Sequence, residues 1–311
     1  MPAFIRAISA REHSSDEIIR VIVFMFFTGV FVPMSVRPVL SNAVRKLTHE
    51  VEVMDERGRA STIAIPAEQP LTIYVDKREL VTLMTLGGAP EALTLGYLRN
   101  QRFIKNIEDI LSVQVDWDVD AAAVVTRNGI DNIEERTARH TVTTGSGEGT
   151  VFGGLMDEID SITLPTDARL MQSTLYKIIE TIRVHRSVYK QAGSVHSCAL
   201  FSANGELIHF VEDVGRHNAV DAIAGKMWFD DVSGADKIFY TTGRLTSEMV
   251  MKGAQMGIPF LLSRSGATQM GHMVAERLNM SLLARCSGKH FLLLSGADRI
   301  IFDDLAVVEN A

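Results

Sequence analysis

Leu207-Ile208-His209-Phe210-Val211-Glu212-Asp213-Val214-Gly215-Arg216-His217-Asn218-Ala219-Val220-Asp221 passes from an apolar run, through a dense polar junction, into a second run that continues to Met227. The first five residues read as a strand, and the residues from Ala219 onward alternate as a helix requires, which places the charged groups where the chain leaves a sheet. In open α/β sheets, ligands lie beyond the carboxyl ends of strands, so this junction is the first candidate site.

Working outward, strand-like runs recur at residues 195–201, 237–240, 258–262, 281–283 and 291–294, with helical patterns at 214–227, 246–256 and 268–278. A longer helix is expected over 170–186, where Leu170, Leu175, Ile178, Ile179 and Ile182 supply an apolar face. This alternation argues for a mixed sheet covered on both faces, with Asn204-Gly205 making a hairpin and hence an antiparallel pair. Two further strand ends repeat the chemistry of the first: Thr241-Thr242-Gly243-Arg244 with Ser247-Glu248, and Ser263-Arg264-Ser265-Gly266-Ala267-Thr268. Arg216, Arg244 and Arg264 therefore form a candidate anion site, because guanidinium groups and helix amides both favour phosphate. The competing reading makes them capping or ion-pair residues at an interface. His217 is read either as a ligand-orienting or acid-base group or as a hydrogen-bonded structural histidine.

The 311 residues carry a net charge of -7 and 46% hydrophobic residues, which supports a sizeable core and gives no general affinity for nucleic acid. Residues 43–128 are strand-rich, with alternation at 50–54, 71–75 and 111–115, and a helical stripe at 91–99 that follows Gly87-Gly88-Ala89-Pro90 and is expected to pack across the sheet. Scaffolding or docking is expected of this part. Residues 21–34 are apolar but too short for a membrane span, so no stable membrane insertion is expected; Met34 is a candidate true start, testable by N-terminal mass spectrometry of the natural product. The expected organisation is an N-terminal extension over 1–33, a strand-rich accessory domain over 34–137 and a larger domain over 138–311.

Five glycines lie between Gly145 and Gly154, yet Gly145, Gly147 and Gly149 do not follow a dinucleotide fingerprint and no P-loop lysine is present. Ser146 is a candidate nucleophile there, without a base identified by spacing. A zinc deaminase is rejected, since His196 is followed by Ser197 and Cys198, and Cys286 is isolated. No metal ligands are assigned. Cys198 and Cys286 read as buried strand thiols rather than a disulfide or metal pair.

Glu212 to Asp221, together with Gly243-Arg244, Ser247-Glu248-Met249-Val250, Gly257-Ile258-Pro259, Ser263-Arg264-Ser265 and the segment from Phe291 to Gly296, resembles the FdhD family of accessory sulfurtransferases for formate dehydrogenases. Similarity extends roughly over residues 70–299. The resemblance implies an α/β and α+β protein: a cytidine-deaminase-like three-layer mixed-sheet domain without zinc chemistry, beside a smaller strand-rich N-terminal domain. It implies a cytoplasmic homodimer that takes sulfur from a cysteine desulfurase and delivers it to the molybdenum bis(molybdopterin guanine dinucleotide) cofactor, its bound cargo, for formate dehydrogenase. A guanine nucleotide is the expected surrogate ligand. The guanylate phosphates would suit Arg216, His217, Arg244 and Arg264, and the family's cofactor-binding segment matches Phe291, Leu292, Leu293, Leu294, Ser295 and Gly296. The departure is that Ser146 and Gly149 stand where the family carries a cysteine pair. A serine hydroxyl cannot form a persulfide, so the transfer step is expected to be absent and a non-catalytic cofactor chaperone or interaction protein is the alternative.

Overall fold

The computed structural model describes residues 37–130 and 159–304. The strands are β1 (Val39–Leu40), β2 (Thr48–Met54), β3 (Ala60–Pro66), β4 (Gln69–Val75), β5 (Arg78–Thr85), β6 (Ile110–Asp116), β7 (Ala121–Thr126), β8 (Leu170–Met171), β9 (His196–Phe201), β10 (Leu207–Asp213), β11 (Ile238–Thr241), β12 (Phe260–Ser263), β13 (Ser281–Ser287), β14 (His290–Ser295) and β15 (Ile300–Ile301). The helices are α1 (Pro90–Asn100), α2 (Gln172–Val184), α3 (Val188–Ala192), α4 (Arg216–Phe229), α5 (Ser247–Gln255) and α6 (Gln269–Arg277). The fold is mixed α/β. One sheet has the order β1-β6-β7-β4-β5, the other β10-β9-β11-β12-β13-β14, with small two-stranded pairs β2-β3 and β8-β15.

The six-stranded sheet is buried on both faces, as its apolar strands require. Cys198 and Leu200 of β9, Phe239 of β11 and Leu261 of β12 point into the core shared with α1, α4, α5 and α6. Their alternating neighbours Ala199, Phe201, Tyr240, Phe260 and Leu262 point to the opposite core, under α2. Leu175, Ile178 and Ile179 of α2 are buried there, each burial contributing roughly 1.5–3 kcal/mol. β11, β12 and β13 run parallel, while β9 and β10 run antiparallel through the expected hairpin, where Gly205 takes a positive φ of 72°. The carboxyl ends of β10, β11 and β12 and the start of β9 consequently share one edge.

Helix α1 begins with Pro90 at its first position, and its buried first-turn Glu91 accepts hydrogen bonds from the Ser41 hydroxyl and the Ala43 amide, both at 2.6 Å. It packs against β6 and β7 and, more extensively, against α4. That helix crossing is a backbone contact: a Cβ on Gly96 would lie 1.7 Å from the Asp221 carbonyl oxygen, and one on Gly225 would lie 1.9 Å from the Ala92 carbonyl oxygen. Only glycine fits at either position.

Candidate functional site

Each of the three strands β10, β11 and β12 ends on a buried residue whose side chain accepts the amide two residues on. Asp213 Oδ1 takes Gly215 N at 3.0 Å, Thr241 Oγ1 takes Gly243 N at 3.1 Å, and Ser263 Oγ takes Ser265 N at 2.9 Å. This local bond turns the chain sharply out of the sheet. The turns are then locked together: Thr242 N donates to Ser197 O at 3.0 Å, Ser197 N to Thr242 Oγ1 at 2.9 Å, Ser263 Oγ to Gly243 O at 2.6 Å, and Leu245 N to Gly266 O at 3.0 Å. Thr246 and Thr268 cap α5 and α6, accepting from Met249 N and Gly271 N.

Most of the polar residues between Glu212 and Asp221 are engaged within the protein. Glu212 accepts from the amides of Val188 and Tyr189 and from the Ser197 hydroxyl, which holds α3 against the sheet. Through α3 it sets Tyr189, over whose ring the Arg264 guanidinium lies 5.7 Å from the centroid. Asp213 accepts from the Thr85 hydroxyl, the Leu86 and Gly215 amides and the Asn218 side chain, so it ties the two large sheets together. Burial raises the pKa of its carboxyl, against the lowering effect of these bonds. Asn218 also donates to Met84 O at 2.7 Å. Asp221 accepts from Asn100 at 2.6 Å and from Lys252 at 2.9 Å, in a salt bridge whose side chains are 2% and 1% exposed.

Arg216 and His217 are different. Arg216 Nε and both ring nitrogens of His217 are buried without a hydrogen-bond partner, three such atoms in two consecutive residues. The Arg216 stem lies across Gly243, whose added Cβ would stand 3.2 Å from its Cβ and Cδ. Burial, then Lys252, Arg216 and His196, push the His217 pKa down to about 2, so the ring is neutral. Glu248 Oε1 stands 3.3 Å from His217 Nδ1 and 3.7 Å from Lys252 Nζ. Burial raises the Glu248 pKa, with Lys252 the strongest opposing influence. His196, at the start of β9, has its pKa lowered first by burial and then by Arg216 and Arg244. The first turn of α4 has no side-chain cap at Gly215. This edge offers fixed positive charge, open helix amides and orphaned polar atoms to an anionic ligand.

Of the residues expected from sequence, Arg216, His217, Arg244 and Arg264 stand on these adjoining turns, and among the described residues none of the three arginines forms a salt bridge. Arg244 and Arg264 are exposed. The 291–296 segment is strand β14 and the turn after it, and it runs across the sheet rather than along this edge. Its register pairs Ala284 with Leu292 and Leu282 with Ser295, so Phe291 and Leu292 lie at the level of the arginine turns while Ser295 and Gly296 reach the opposite end. There Ser295 Oγ donates to Met280 O at 2.7 Å and Ser281 Oγ to Gly296 O at 2.8 Å. Phe291 and Leu293 pack towards the α2 core and Leu294 towards the other. Ser146 and Gly149 lie outside the described residues. Cys198 and Cys286 are both buried, and burial pushes each thiol up to about 12. Sequence reading missed Asp213, Thr241 and Ser263 as turn formers, although a strand ending in Asp, Thr or Ser two residues before a small residue carries the signal. It also missed Lys252, visible only as one cation among the apolar residues of α5.

A separate cleft of about 450 Å3 opens behind Glu212, lined by Leu47, Ala89, Arg186, Val188, Phe210 and Lys226 among others. None of its lining residues has an orphaned buried polar atom. The arginine edge is therefore the stronger candidate. No helix among the described residues is long and apolar enough to cross a membrane.

A sequence profile of the FdhD/NarQ family matches residues 66–301. The "Sulfur carrier protein FdhD" of Listeria monocytogenes serotype 4b is 30% identical over 241 residues, 76% of this chain and 91% of that protein. The protein of the same name from Nocardia farcinica is 29% identical over 277 residues, 86% and 96% of the two chains. The crystal structure of a "putative formate dehydrogenase accessory protein" from Desulfotalea psychrophila superimposes with a TM-score of 0.65 at 26% identity, covering 82% of this chain and 98% of that one. With its matched region spanning the six-stranded sheet, the strand-end turns and β4 to β7 of the other sheet, the chain belongs to the FdhD/NarQ family.

Proposed function

We propose that this protein is a formate dehydrogenase accessory protein of the sulfur-carrier type, with the molybdenum bis(molybdopterin guanine dinucleotide) cofactor as its bound cargo and a cysteine desulfurase and a formate dehydrogenase as its partners. The observation that carries the binding half is the run of orphaned buried atoms on Arg216 and His217 beside exposed Arg244 and Arg264. A nucleotide diphosphate fits that donor set: guanidinium groups pair with phosphate oxygens in fixed geometry, and the α4 amides add to the field. Phe291 and Leu292, at the same level of the sheet, are the part of β14 assigned to the same cargo.

The sulfur-transfer half meets a chemical obstacle. Accepting sulfane sulfur requires a thiolate to attack the terminal sulfur of the donor's persulfide, forming a new S–S bond as the donor's breaks and leaves as thiolate. Ser146 has no sulfur to offer, and the thiols of Cys198 and Cys286 are buried and held protonated. This favours cofactor binding without a persulfide relay. The test is intact-mass analysis after incubation with a cysteine desulfurase and cysteine, for the unmodified protein and Ser146→Cys, with guanosine diphosphate binding measured on both. The expected result is a persulfide only on Ser146→Cys and binding by both; sulfur on the unmodified chain would overturn the assignment of its thiols as inert.

A further inference from the structure

The three orphaned atoms at the arginine edge are not equivalent in what they ask of a ligand. Arg216 Nε is a donor and is answered by a phosphate oxygen. A neutral imidazole has one donor and one acceptor nitrogen, and the acceptor cannot be answered by a fully ionised phosphate. What decides which nitrogen accepts is the group facing the other one. Among the described residues Glu248 does this: its Oε1 is 3.3 Å from Nδ1, a span that a hydrogen bond closes once the ring turns towards it.

Glu248 is itself held. It is one helical turn from Lys252, whose ammonium stands 3.7 Å from Glu248 Oε1 and 2.9 Å from Asp221 Oδ2; Asp221 is in turn fixed by Asn100 on α1. A chain of buried groups thus runs from the α1–α4 crossing to the His217 ring. The geometry points to Glu248 as a positioning residue: anchored through Lys252 and Asp221, its carboxylate accepts a hydrogen bond from the Nδ1–H of His217 and leaves Nε2 as an acceptor for a hydroxyl or N–H of a ligand whose phosphates lie on Arg216 and Arg244. The inference rests on the phosphate reading of the site and adds a requirement to it. The ligand must carry a hydrogen-bond donor near its phosphate, as a nucleotide does; sulfate, a tetrahedral oxyanion with no proton at neutral pH, does not.

Two measurements decide it. Nitrogen NMR of the histidine-labelled protein, without ligand, is expected to show His217 protonated at Nδ1 in the unmodified chain and redistributed between tautomers in Glu248→Gln. A ring protonated at Nε2 in the unmodified protein overturns the inference. Calorimetric titration with guanosine diphosphate and with sulfate is expected to show that Glu248→Gln and His217→Phe lose about tenfold more affinity for the nucleotide than for sulfate, the scale of one buried hydrogen bond. Equal losses for the two ligands, or none, overturn it as well. Arg216→Ala and Arg244→Ala test the underlying reading, since they are expected to weaken both ligands together. If the unmodified protein binds neither, the phosphate reading fails while the tautomer still decides the role of Glu248.

Discussion

Asp213 and His217 are four residues apart on one turn and could hardly be treated more differently by the fold. Asp213 is buried with four donors upon it from β5, the turn itself and α4. His217 is nearly as enclosed and has no hydrogen bond at all. Burying a polar group without a partner costs about 1–3 kcal/mol, so the first arrangement stabilises the fold and the second weakens it. The difference separates the run from Glu212 to Asp221 into residues that fasten the two sheets to each other and residues whose buried polar atoms have no hydrogen bond among the described residues.

Attacking the fastening should have the largest effects. Gly96→Ala drives a methyl group into the Asp221 carbonyl, and forcing α1 from α4 is expected to cost about 5 kcal/mol or more and to abolish soluble, cooperatively folding protein. A urea transition near that of the unmodified chain would mean that the helices do not cross on glycine. Lys252→Met leaves Asp221 buried with Asn100 as its one remaining side-chain partner among the described residues, and about 3–5 kcal/mol of stability is expected to go in the same assay. Asp213→Ala strands four donors and should cost on the order of 3 kcal/mol. If Asp213→Ala were neutral, the contrast with His217 would lose its basis.

The open residues should respond to pH and ligand instead. Because the folded-state pKa of His217 is depressed to about 2 from 6.5, the unfolded chain binds the extra proton as pH falls below 6.5, and stability is lost in that direction. Between pH 7 and 5.5 this amounts to about 1 kcal/mol, which His217→Phe removes. Asp213 and Glu248, with raised pKa values, act with the opposite sign, and His196 and His209 with the same sign, so the difference between the two proteins isolates the ring. An identical pH dependence for both would show that His217 is not held neutral. The smallest change in stability belongs to Arg244→Ala, within about 0.5 kcal/mol, since the side chain is exposed and without a salt bridge among the described residues. Its phosphate binding should nonetheless fall.

The elements with strong periodicity were legible before any coordinates. The helix expected at residues 91–99 is α1, those at 246–256 and 268–278 are α5 and α6, and the hairpin at Asn204-Gly205 joins β9 to β10. Strands β3, β5 and β7 were not read. β3 has an almost wholly exposed pattern, β5 opens on two charged residues and exposes the apolar Met84, and the three consecutive alanines that begin β7 give no alternation to detect. Leu170 shows how the register of a boundary escapes pattern reading: it opens the apolar stripe of the expected helix, yet it pairs with Ile300 in a short parallel bridge before α2 starts at Gln172.

Sequence by itself determined the strand-to-helix rhythm, the three arginines on successive turns, and the absence of a thiol at position 146, because period and residue type are properties of the chain alone. Tertiary structure decided which polar residues are spoken for. The most distant partners of Asp213, Asp221 and Asn218 lie 121 to 134 residues away along the chain on β5 and α1, and no local pattern encodes a bond of that range. His217 and Asp213 look alike as letters in a polar run; only packing supplies donors to one and withholds them from the other.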